Sequence, residues 1–107
     1  MGEKGIIIIA DYLDEEAMGL PEICEVCNLN TSRLVEFIEY DIIHPQGDLS
    51  LPETWAFDLQ QLKRLKRALR LQHDLNINLD GVAIVLDLLE QMDNLYEEMH
   101  FLEKHYL

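Results

Sequence analysis

Apolar side chains in the second half of the chain recur every three or four residues, as on one face of an α-helix. Leu62, Leu65 and Leu69 share a face of a helix that starts at Asp58, a capping residue with Gln61 three positions on. A last helix, capped by Asn78, is predicted from about residue 79 to 105. It carries an apolar heptad repeat: Val85, Leu88, Met92, Leu95, Met99 and Leu102.

This heptad repeat predicts how the chain assembles. A helix of about 25 residues extends roughly 40 Å, which is more than so small a domain can cover. We therefore expect a homodimer in which the last helix of a second copy covers the repeat. Packing of the repeat on its own domain is the alternative.

The first half of the chain predicts a strand followed by two short helices. Residues 5–13 include four consecutive isoleucines, which suit a strand. Pro21 fits the first turn of a helix. A second helix is expected over residues 32–43, with Asn30 or Thr31 as its cap, because apolar residues keep helical spacing there. Two short helices joined by a tight turn form a helix-turn-helix.

A loop over residues 45–57 follows, and we interpret it as a wing that returns to the domain near Trp55, where the N-terminal strand could pair. The predicted fold is therefore mostly α: a winged helix-turn-helix with a short N-terminal strand and a long C-terminal dimerisation helix. We expect a single domain over residues 1–107. Residues 5–75 would form the helix-turn-helix, wing and third helix, and residues 78–107 the long helix.

Charge is distributed unevenly over these elements. The chain has a formal net charge of −13, yet residues 58–75 contain five bases and two acids. Lys63, Lys66, Arg67 and Arg70 form one stripe of the third helix, and Arg64 is expected opposite the leucines. The stripe has four interpretations: a solvated face, an internal partner for acidic side chains, a patch that faces a protein partner, or a phosphate contact. The overall negative charge opposes DNA and favours a basic partner.

Other candidate chemistry is sparse. Cys24 and Cys27 form a lone C-x-x-C without the further ligands that zinc needs, so we predict small buried side chains and no metal site. The sequence has no glycine-rich phosphate loop and no Ser-His-Asp arrangement, which predicts no cofactor and no enzymatic activity. Its apolar runs are far shorter than the roughly 20 residues of a membrane span. We expect a cytoplasmic protein.

Three motifs carry a family resemblance. E-T-W-A-F-D (53–58), R-A-L-R-L-Q-H-D-L (67–75) and D-G-V-A-I-V-L (80–86) stand in the order and spacing of the chaperone modulator family CbpM. The order of elements also resembles the MerR type of regulator. The likeness covers nearly the whole chain, from about residue 6 to residue 99, and each motif alone is short.

The sequence departs from the DNA-binding members of that type. They carry L-R-Y-Y-E-x-x-G-L-L-x-P, where this chain has L-V-E-F-I-E-Y-D-I-I-H-P (34–45). This chain has Val35 at the position of their arginine and Glu36 at the position of the aromatic residue that follows. In the wing, it has Trp55 at the position of a second arginine. Both losses remove a residue that commonly contacts phosphate or bases.

The resemblance implies a protein partner. Members of this family would bind the J-domain of a DnaJ-like co-chaperone of the CbpA type and block its stimulation of DnaK. We expect exposed acids of the third and fourth helices to make the contact: Asp74, Asp80, Asp87, Glu90 and Asp93. A MerR-like DNA-binding regulator, which would use the basic stripe, remains the alternative function.

Overall fold

A computed structural model describes residues 17–106. Four α-helices form over that range: α1 (Leu20–Cys27), α2 (Thr31–Glu39), α3 (Leu59–Leu75) and α4 (Leu79–Tyr106). A single 3-10 turn, Pro52–Thr54, lies between α2 and α3. The described part of the chain is thus mostly helical, as predicted. The predicted strand over residues 5–13 lies outside the described residues.

Helices α1 and α2 form the predicted helix-turn-helix. Pro21 lies in the first turn of α1, and Asn28 ends that helix in the left-handed conformation. The side chain of Asn30 then accepts a hydrogen bond from the backbone N–H of Arg33, which confirms Asn30 as the cap of α2. Because Ile23 and Leu34 are completely buried, the two helices share one core.

The predicted C-terminal end of α2 was wrong. The helix stops at Glu39, and Asp41 takes a positive φ of 64° that turns the chain away. Ile42 and Ile43 are completely buried, but they reach the core from the loop after the helix. Helical spacing of apolar residues cannot distinguish a further helical turn from a reversal that buries the same side chains.

Residues 46–56 form the wing, which is joined at its base by backbone pairing between Gln46 and Ala56. Gly47 has a φ of 113°, and a β-carbon there would lie 2.5 Å from the carbonyl oxygen of Thr54, so the tight turn requires glycine. Just after the wing, Phe57 forms an antiparallel backbone bridge with Met18. These pairings are isolated bridges, and no extended strand forms within residues 17–106.

Helices α3 and α4 pack against each other and complete the core. Asp58 caps α3 by accepting from the N–H of Gln61, and Asn78 caps α4 by accepting from the N–H of Gly81. Both caps were predicted, but Gln61 does not complete a capping box, because its side chain accepts from the N–H of His44. The completely buried residues at this contact include Leu65, Ala68, Val82 and Leu86.

The distal half of α4 extends beyond the core. Every side chain from Glu90 to His105 is exposed, and the molecule measures 50 × 33 × 30 Å along its principal axes. None of the helices described between residues 17 and 106 combines the length and apolar character needed to cross a membrane.

Candidate protein-binding surfaces

Arg64 belongs to α3, and its side chain reaches across to α4. The predicted position of this side chain, opposite the leucines, was therefore wrong. Its side chain is only 15% exposed. Its Nε donates to the backbone oxygen of Ile42, and its two terminal nitrogens contact Asp87, at 3.2 Å, and Glu90. The leucines alone define a narrow buried face of α3. Ala68 is also completely buried, so the buried face extends further around the helix, towards Arg64. Arg64 therefore connects α3 with α4 and with the loop after α2 instead of facing solvent.

Three of the five acids predicted to bind the partner pair with α3. Asp87 and Glu90 bind Arg64, and Asp93 lies 3.1 Å from the guanidinium of Arg67. Their side chains remain 49–65% exposed, so a partner could still reach the carboxylates. The other two predicted acids, Asp74 and Asp80, are exposed and flank the turn between the two helices.

The basic stripe of α3 divides into two groups. Arg67, like Arg64, forms an ion pair with α4, which is the internal pairing that the sequence left open. Lys63, Lys66 and Arg70 are exposed, and no carboxylate of residues 17–106 lies within 4 Å of their nitrogens. Among the described residues, nothing neutralises these three cations on one face of α3.

The helix-turn-helix and wing present the opposite charge. Residues 17–57 contain seven acids and one base, Arg33. That arginine donates to Gln72 of α3 at 2.9 Å, and its guanidinium lies 5.3 Å from the ring centre of Phe37. The sole cation of this half therefore turns towards the core of the domain. A surface of this charge repels the phosphate backbone of DNA.

The predicted dimer residues form an uncovered apolar seam on α4. Leu88, Met92, Leu95, Met99 and Leu102 are about half exposed, and Val85 is half-buried. At about 100° per residue, this seam lies nearly opposite the face of α4 that packs on the core through Val82 and Leu86. The part of the domain that the structure describes therefore leaves the seam exposed.

Cys24 and Cys27 are partly buried against the core and are not joined by a disulfide. Burial raises the pKa of both thiols, and for Cys27 the positive charge of Lys66 opposes that rise. Within residues 17–106, no three His, Cys, Asp or Glu side chains come together as a metal site would require.

Comparison with known proteins agrees with this arrangement. Residues 18–104 match the family model described as MerR HTH family regulatory protein. The chaperone modulatory protein CbpM of Coxiella burnetii is 36% identical over 101 residues, which cover 94% of this chain and 90% of that protein. This chain belongs to the CbpM family. The chaperone modulatory protein CbpM of Pseudomonas entomophila is 33% identical to this chain over 82 residues, which cover 77% of this chain and 79% of that protein.

Membership of the CbpM family confirms the predicted resemblance and agrees with the mostly helical fold. The names of the relatives describe chaperone modulators and not enzymes. A chaperone-modulating role follows for this chain. The sequence interpretation missed two features of the site. One is the partly buried position of Arg64, which Ala68 could have indicated, and the other is the exposed apolar tip of the wing at Leu49 and Leu51.

Proposed function

We propose that this CbpM-family protein acts in the cytoplasm by binding the J-domain of a DnaJ-like co-chaperone of the CbpA type. The bound J-domain would then be unable to stimulate the ATPase of DnaK. The main support is the charge of the helix-turn-helix and wing, where the one cation, Arg33, is held against α3. A fold associated with DNA binding thus presents an anionic surface, which suits a basic protein partner.

The physical argument concerns the partner's charge. A J-domain carries a basic helix that DnaK contacts, so an acidic competitor for that helix would exclude DnaK. The net charge of −13 would speed the encounter, and apolar contacts would slow release. The chaperone-modulator names of the relatives point to the same class of partner.

The deciding experiment measures steady-state ATP hydrolysis by DnaK with a CbpA-type co-chaperone. Adding the protein should remove the stimulation and leave basal hydrolysis unchanged. Titration calorimetry with the isolated J-domain should show binding that weakens as salt is raised. Undiminished stimulation at saturating protein, together with no heat of binding, would contradict the proposal.

One observation favours the alternative function. Lys63, Lys66 and Arg70 remain exposed and could contact phosphate as a DNA-binding regulator would. A gel-shift assay on random duplex at low salt separates the two functions. Strong, salt-sensitive retardation would support the regulator, whereas we expect the duplex to migrate freely.

We also propose a homodimer through the α4 seam, because an apolar stripe nearly opposite the domain core needs a second cover. Leu95→Glu should reduce self-association in sedimentation velocity. Phe101→Glu is the matched control, since Phe101 is similarly exposed but lies on another side of α4. Equal sedimentation of wild type and both variants would contradict this interface.

A further inference from the structure

The tip of the wing, residues 48–54, presents two leucines to solvent. Leu49 is 65% exposed and Leu51 is 44% exposed. Neither is part of the core or of the α4 seam. Exposed apolar surface next to polar groups often marks a contact with another protein.

Hydrogen bonds within the loop hold the tip in one shape. The Asp48 carboxylate accepts from the backbone N–H of Ser50 at 2.9 Å and from its hydroxyl at 2.7 Å. These bonds lower the pKa of Asp48. The N–H of Asp48 donates to the Thr54 hydroxyl, and the Trp55 indole N–H donates to the Asp48 carbonyl at 3.0 Å. The two leucines are therefore presented by an ordered loop, so a partner would lose little affinity to ordering it.

Charge around the tip selects the kind of partner. Asp48 and Glu53 lie within the tip, and Glu39 and Asp41 lie at the end of α2. The one base of residues 17–57, Arg33, is engaged with α3. Phosphate backbones and anionic lipid surfaces would be repelled. A protein segment with both cationic and apolar side chains is complementary to this surface.

Distance sets the size of that segment. Leu49 at the wing tip follows Glu39 by ten Cα–Cα steps of chain, so these points are at most about 35 Å apart. A helix of about six and a half turns extends roughly 35 Å. One cationic amphipathic helix could therefore contact both the leucines of the tip and the acids at the end of α2.

We propose that the wing tip and the end of α2 form a docking surface for a cationic amphipathic helix of a partner protein. This inference rests on the proposed function, in which that helix is the basic helix of the J-domain. It moves the principal contact away from the α3–α4 acids, three of which are already paired with arginines of α3. Leu49 and Leu51 provide the apolar contact, and Glu39 and Glu53 the attraction.

Two double variants test the surface by titration calorimetry and stopped-flow binding with an isolated J-domain. Leu49→Ser/Leu51→Ser should weaken binding at least tenfold, mainly through faster dissociation. Glu39→Lys/Glu53→Lys should weaken it similarly, mainly through slower association at low salt. All four residues are exposed, so the circular dichroism spectrum and melting temperature should stay close to wild type.

Asp74→Lys/Asp80→Lys is the matched control, because it changes the net charge by the same amount. Asp74 lies at the end of α3 remote from the wing, about 24 Å along the helix from Asp58. The control should change affinity less than threefold. Wild-type affinity in both wing variants, or a larger loss in the control, would overturn this docking surface and leave the proposed function standing. A wild-type protein that binds no J-domain would overturn both.

Discussion

The Arg64 side chain connects three separate parts of the fold. It bonds the loop after α2 through the carbonyl of Ile42 and pairs with Asp87 and Glu90 of α4. Burial lowers the pKa of the guanidinium, but the hydrogen bonds and charges of Glu90 and Asp87 outweigh that effect and raise it. The side chain is therefore a permanent cation that connects three elements.

Replacing Arg64 by alanine should lower the free energy of unfolding by about 2 kcal/mol, because the Ile42 carbonyl and two carboxylates lose their donor. Lys63→Ala is the control, since Lys63 is exposed on the same helix, and it should change stability by no more than about 0.5 kcal/mol. Urea denaturation followed by circular dichroism measures both. Similar midpoints for the two variants would show that Arg64 contributes little.

The cysteines should be poor nucleophiles in the folded protein. Their raised pKa means that less thiolate is present at a given pH, and the thiolate is the reacting species. Alkylation of Cys24→Ala, which leaves only Cys27, should be slower at pH 8 than in the same chain unfolded in urea. The rise of the alkylation rate with pH should also occur at a higher pH in the folded protein than in the unfolded chain. Faster reaction in the native state would indicate an activated thiol instead.

The helices show which sequence signals were sufficient. Asn30, Asp58 and Asn78 were recognisable as caps because each is a short polar residue directly before a periodic apolar segment. The end of α2 could not be predicted, since the reversal at Asp41 depends on a left-handed backbone that the residue tolerates but does not dictate. Gln61 has the right spacing for a capping box, but its side chain accepts a hydrogen bond from the backbone N–H of His44 instead.

Helix α4 has two apolar faces that should respond differently to mutation. Leu86 is completely buried against the core, whereas Leu88, two residues later, is 53% exposed on the seam. Leu86→Ala should lower the unfolding free energy by about 2–5 kcal/mol. Leu88→Ala should leave the stability of the monomer within about 1 kcal/mol and weaken self-association instead.

Denaturation at protein concentrations low enough to give monomers, together with sedimentation at higher concentrations, separates the two effects. Equal loss of monomer stability in both variants would mean that the two faces are not distinct.

For the molecule as a whole, charge was easier to predict than the location of contacts. The sequence located the basic segment of α3 and the acidic remainder, and it indicated a shift away from DNA. It could not show which charges were already paired, because the pairs of Arg64 and Arg67 join residues 23 to 26 positions apart. Nor could it show that the polar groups of the wing tip bond one another and that Leu49 and Leu51 stay exposed beside them.

The positions that flank the seam carry charges, and these charges favour one orientation of the proposed dimer. In a parallel pair of α4 helices, Glu98 of each copy would face Glu103 of the other across the flanking positions. An antiparallel pair centred between Asp93 and Asn94 avoids that repulsion and places Leu88 opposite Met99 of the second copy. We therefore predict the antiparallel arrangement.

Cysteine cross-linking tests this orientation in a Cys24→Ala/Cys27→Ala background. A mixture of the Leu88→Cys and Met99→Cys variants should form a disulfide-linked pair on oxidation, and neither variant alone should do so. Efficient cross-linking of each variant with itself would indicate the parallel arrangement.

Trp55 provides a natural optical probe of the wing. It is the only tryptophan of the chain, it is 7% exposed, and its indole N–H bonds the Asp48 carbonyl at the start of the tip. Its fluorescence emission should consequently report the state of this one loop without any added label. Any partner that presses on, shields or loosens the loop would shift the emission maximum or its quenching by iodide.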